Sequence, residues 1–169
     1  MKKFTFILVL FLWVMISFAQ DENEAVYRSG EDKYFAGEYN AAIELFTQVL
    51  ATDPDHLNAY LQRGFCYVLL KDFDKAITDF SELLDRKEDH VWAYTSRGSS
   101  YNKIGEYELA MIDFDKALNL DPRNEEAYNN RGWSKKFLGD ATGACKDWTA
   151  SRKMGNAEAK IILTNNYCK

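Results

Sequence analysis

Three cysteines and two histidines are the side chains of this 169-residue sequence best suited to metal binding, redox chemistry or proton transfer. They are too few and too scattered for a metal site or a catalytic triad, and no cofactor is implied. His56 and His90 lie 34 residues apart, and Asn124 follows at the same interval. A place shared by His, His and Asn reads as a loop or helix-cap position. Cys66 stands where Asp32, Ser100 and Ser134 stand at that interval. A small side chain suffices there, so a half-buried free thiol is expected. Cys145 lies ten residues before Gly155, and Cys168 thirteen after it. If the chain folds back at Gly155, the two reach similar heights. We read them as a structural disulfide, the alternative being a redox pair.

Charged side chains recur too. Arg63, Arg97 and Arg131 each precede a glycine, and Asp79, Asp113 and Asp147 each precede an aromatic residue. The first copy of this pattern lacks both, having Ser29 and Leu45. The two positions therefore change together within one chain. Pairing between neighbouring copies would strand Arg63 and Asp147, whereas pairing within a copy strands nothing. Three ion pairs inside the copies follow. A catalytic role is excluded by the threefold repetition, and such pairs fix register more than they stabilise.

The elements that hold these residues repeat with the same period. Gly30, Gly64, Gly98 and Gly132 are 34 residues apart, as are Ala42, Ala76, Ala110 and Ala144, and Phe46, Phe80, Phe114 and Trp148. Residues 23–56, 57–90, 91–124 and 125–158 are thus four repeats. In each, apolar residues recur at helical spacing on either side of a break. Gly37, Gly105 and Gly139 mark the break where φ is positive, with Lys71 filling that place at some conformational cost. Glu38, Asp72, Glu106 and Asp140 follow it and can cap the second helix. Asp53-Pro54 and Asp121-Pro122 end second helices. Small residues at matched heights let paired helices approach, an aromatic ring fills the adjacent gap, and the copies must stack to bury both faces. Residues 156–167, with Ala157, Ala159 and Ile161–Leu163, read as an amphipathic capping helix.

The period, the early glycine, the middle alanine, the later aromatic and the closing Asp-Pro resemble the tetratricopeptide repeats, and residues 92–124 come nearest to that pattern. The fourth copy departs from it at Ala141 and Ser151-Arg152, the second at Glu88. The resemblance implies an all-α fold: an α-solenoid of four helix-turn-helix repeats plus the capping helix. It also implies a protein or peptide partner, bound in a groove lined by the second, fifth, ninth, twelfth and thirteenth residues of each copy. These include Tyr27, Tyr34 and Phe35; Leu61, Phe65, Val68 and Leu69; Trp92 and Asn102; and Trp133 and Phe137. Some relatives hold a C-terminal carboxylate with lysine, asparagine and arginine at such places. Tyr27, Glu31 and Trp92 stand here instead, so that clamp is not expected.

Lys2, Lys3, an apolar run from Phe4 to about Ile16, and Ser17 and Ala19 form a bacterial-type secretory signal over residues 1–19, cut after Ala19. The alternative is an uncleaved anchor, although the run is shorter than the roughly 20 residues of a spanning helix. No cysteine lies near the cut, so a lipoprotein is not implied. A periplasmic or secreted protein is expected, in a compartment that permits disulfides. The formal charge is −5; without Lys2 and Lys3, 19 bases face 26 acids, giving −7. An acidic chain without a basic stripe is a poor ligand for nucleic acid or an anionic membrane. The expected function is non-catalytic: an exported adaptor or assembly factor that binds a protein segment in an aromatic groove. The alternative is a homodimer whose groove closes on a second copy.

Overall fold

The structure is a computed structural model that describes residues 20–165 and Cys168; the proposed leader, residues 1–19, lies outside the described residues. Helix α1 covers residues 20–35. It is followed by α2 (Tyr39–Thr52), α3 (Leu57–Leu69), α4 (Phe73–Arg86), α5 (Val91–Ile104), α6 (Tyr107–Leu120), α7 (Glu125–Phe137), α8 (Ala141–Lys153) and α9 (Ala157–Thr164). No strand occurs among the described residues. The all-α solenoid expected from the repeats is the fold observed: hairpins of a first and a second helix, each packed on the next.

The turn chemistry explains why each hairpin forms. Gly105 ends α5 in the left-handed region at φ 87°, and Lys71 is held at φ 62° at the same place after α3. The acid that follows serves only half the second helices. Asp72 and Asp140 accept a hydrogen bond from the backbone N–H of Lys75 and Gly143, whereas Glu38 and Glu106 make no side-chain cap. Glutamate is one methylene longer and contributes there through the helix dipole alone. First helices have their own cap. His56 and His90 each accept the N–H of the alanine three residues on, at 3.1 Å through Nδ1, and Asn124 accepts that of Ala127 at 2.8 Å.

Within a hairpin the small residues make room for a ring. A Cβ on Gly64 would lie 2.6 Å from the Phe80 ring, and one on Gly98 would lie 2.9 Å from Phe114. Ala42, Ala76, Ala110 and Ala144 are wholly buried beside Phe46, Phe80, Phe114 and Trp148.

Helix α9 is a shortened fifth first helix. Asn156 accepts the N–H of Ala159 at 2.9 Å, repeating the cap of α3, α5 and α7 at an interval of 32 residues from Asn124. Ala159 and Ile162 close over Ala144 and Trp148. Residues 166–167 of the expected capping segment lie outside the described residues. Cys145 on α8 is bonded to Cys168, with Cα atoms 5.5 Å apart, which covers the end of the stack. Cys66 is free and fully buried, not half-buried as the polar residues at its equivalent places suggested. Burial pushes its thiol up to about 11, so it is an inert packing residue.

Candidate binding groove

The first helices carry the candidate groove, and a ladder of arginines sets their spacing. Arg63 donates through Nε and Nη2 to both carboxylate oxygens of Asp79, at 2.8 and 2.7 Å. Arg97 does the same to Asp113, and Arg131 to Asp147, each at 2.8 Å. The third nitrogen of each guanidinium reaches the second helix of the preceding repeat: Thr47 from Arg63, Ser81 from Arg97 and Asp115 from Arg131. One side chain therefore ties a first helix both to its own partner and to the previous hairpin. The backward contact was missed in the sequence. It was detectable, because Thr47, Ser81 and Asp115 also stand 34 residues apart. Burial pushes the Asp79 and Asp113 carboxyls above their usual range, with the arginines pulling them back.

The nine residues proposed for the groove divide into three groups by exposure. Trp92 is 63% exposed and Phe137 58%; Phe35, at another groove position, is 78% exposed. Phe137 stacks on Tyr107, with ring centroids 4.8 Å apart, and still presents most of its surface. Tyr34, Leu61, Phe65 and Val68 are half-buried. Tyr34 and Leu61 pack against the N-terminal core, and Phe65 meets Phe80 edge-on at 5.7 Å.

One expectation needs correction. Tyr27 is core: its ring lies against Phe46 and His56, and its hydroxyl donates to Glu31. Burial, then the charge of Glu31, holds that hydroxyl protonated well above the usual tyrosine range. Asn102 and Trp133 stay at the groove, where with Phe137 they line a cavity of about 380 Å³; Asn102 also donates to the Asn130 carbonyl and accepts from Ser134. Trp133 is half-buried, with its ring edge-on to Trp148 at 5.2 Å and its indole N–H donating to Glu158 of α9. Tyr27 turns inward onto Phe46 of its own hairpin and His56 of the next, whereas Trp92 at the start of α5 stays exposed.

The family model described as Tetratricopeptide repeat matches residues 36–96, and the model described as TPR repeat matches residues 98–134, together more than half of the chain. The chain belongs to the tetratricopeptide-repeat family. No curated protein matches it significantly. Several solved structures superpose on it. MamA from Desulfovibrio magneticus RS-1 does so with a TM-score of 0.74 at 22% identity, over 78% of this chain and 75% of that one. The first TPR of Spaghetti (RPAP3), bound to the HSP90 peptide SRMEEVD, gives 0.67 at 26% identity, over 69% and 93%. The Arabidopsis OM64 TPR domain gives 0.67 at 24%, over 70% and 98%. Among the described residues no cluster of His, Cys, Asp or Glu is built to hold a metal ion, and no helix is long and apolar enough to cross a membrane.

Proposed function

We propose that this tetratricopeptide-repeat chain is an exported, non-catalytic adaptor whose first-helix face holds a segment of another protein. The observation that carries this reading is the exposure of Phe35, Trp92 and Phe137, each on a first helix of the stack. Large apolar side chains left open on the helices that line the groove mark an interaction surface. The RPAP3 domain, which has the same fold, holds a peptide, and this supports a comparable use of the groove here. Export rests on the lysines, apolar run and small residues of positions 1–19.

The test is capture of a partner from the cell envelope by cross-linking, followed by affinity measurement with variants. Trp92→Ala is expected to weaken binding by about 2 kcal/mol, near thirtyfold, with an unchanged melting temperature. Normal binding by this variant would remove the groove as the site. Light scattering on the cleaved chain checks the competing homodimer, which would show twice the monomer mass.

A further inference from the structure

A cavity of about 400 Å³ opens at the groove edge where α5 and α7 begin, lined by Trp92 and by Asp89, Asp121, Glu125 and Glu126. Four carboxylates therefore surround one exposed indole. No lysine or arginine lines the cavity, and none of the four acids forms an ion pair among the described residues. Four ring faces on other first-helix positions already hold a cation. Arg63 lies over Tyr60, Arg97 over Tyr94, Arg131 over Tyr128 and Lys136 over Trp133, with the cation 4.7 to 5.8 Å from the ring centroid. Trp92 has no such cation among the described residues, although an indole is the best ring for one.

Part of this acidity serves the fold. Glu125 and Glu126 lie in the first turn of α7, where the helix dipole favours them, and Asp121 accepts the N–H of Arg123. That does not make the site electrically satisfied. Partial burial, then the charge of Glu125, raises Glu126 above the usual carboxylate range, with Asn130 pulling it back. Crowded acids beside an open aromatic face are complementary to a cation. The four are not arranged as ligands of one metal ion. An organic cation with an apolar stem fits both components, the stem against Trp92 and the charge among the carboxylates.

We infer that the segment held in the groove carries a lysine or arginine that stacks on Trp92 between Asp89, Asp121, Glu125 and Glu126. This rests on the groove reading above and adds the chemistry of the partner. It is the opposite polarity to a clamp for an acidic tail, and the acidic balance of the whole chain would steer such a segment in.

The experiment pans a phage-displayed library of random twelve-residue peptides on the chain, then titrates the most enriched peptide in synthetic form. Enrichment of lysine or arginine beside apolar residues is expected. Replacing that residue of the peptide by glutamine should weaken binding about tenfold, a change that cannot unfold the protein. Glu126→Gln should weaken it several-fold, with the loss shrinking as salt rises. If the enriched peptides are acidic, or tolerate loss of the basic residue, while Trp92→Ala still abolishes binding, the inference is overturned and the groove reading stands. If Trp92→Ala binds the peptide normally, both are overturned.

Discussion

At the scale of residues, the arginine–aspartate pairs and the histidine caps show how buried polar groups are used for register. Asp113 is nearly fully buried beside Arg97, whose side chain is 19% exposed. Removing Asp113 leaves the guanidinium short of water and of its carboxylate, so Asp113→Ala should cost about 3 kcal/mol. Arg97→Leu combined with Asp113→Ala should cost less than the sum, because neither variant then strands a charge. Urea melts of the four proteins measure this, and additive losses would mean that the contact carries no coupling. His90 supplies a pH-dependent case. Its Nδ1 can accept the Ala93 N–H only while unprotonated, and burial, then Lys87, lowers its pKa below the usual histidine value. Folding thus favours the neutral form. This contribution is complete above the unfolded value of about 6.5 and is lost as pH falls through the folded one. His90→Asn keeps a cap of the kind Asn124 makes and does not titrate. Melting temperatures of wild type and variant should therefore diverge below about pH 6.5, with the wild type falling faster.

At the scale of elements, each hairpin depends on one turn and one close approach, and both can be tested. Lys71 occupies a left-handed conformation that costs an L side chain about 1 kcal/mol. Lys71→Gly should recover most of that, less the added freedom of the unfolded chain, and raise the melting temperature slightly. Gly98→Ala should do the reverse by about 1–3 kcal/mol, since the new methyl meets the Phe114 ring. A smaller side chain at 114 added to Gly98→Ala should return part of the loss. These features were legible because four copies in one chain act as their own alignment: Gly105, Ala110 and Phe114 declare their roles through their equivalents. The same symmetry explains the misreading. Tyr27 occupies a groove position in the first repeat, where the neighbours differ from those in the middle. Tyr27 turns towards Phe46 and His56, whereas Trp92 in an interior repeat stays outside. The end residue therefore could not be placed by analogy with the middle ones.

At the scale of the whole molecule, a stack in which each hairpin packs on the next should lose order from its ends. The two ends differ. The first hairpin has Ser29 and Leu45 where the later ones have an arginine and an aspartate, so the buried arginine–aspartate pair has no counterpart between α1 and α2, which share only the exposed Lys33–Glu38 ion pair at their turn among the described residues. The last hairpin is covered by α9, which has eight residues and buries only Ala159 and Ile162. A helix that short is marginal by itself and needs its tertiary support. The Cys145–Cys168 bond provides part of it by closing a 23-residue separation, which would contribute about 3 kcal/mol to a chain that unfolds all at once. In a stack the effect should instead be local. Cys168→Ser is expected to speed amide exchange in α9 and the second half of α8, with α3 to α6 unchanged. It should also expose Trp148, now 1% accessible, and shift its fluorescence to the red. Because Trp133 donates to Glu158 of α9, that side chain should loosen in the same variant, while Trp92 should not. Peptide binding at Trp92 should then survive reduction of the disulfide even as the C-terminal end frays. Exchange that rises equally in all helices would show that the four hairpins unfold as one cooperative unit.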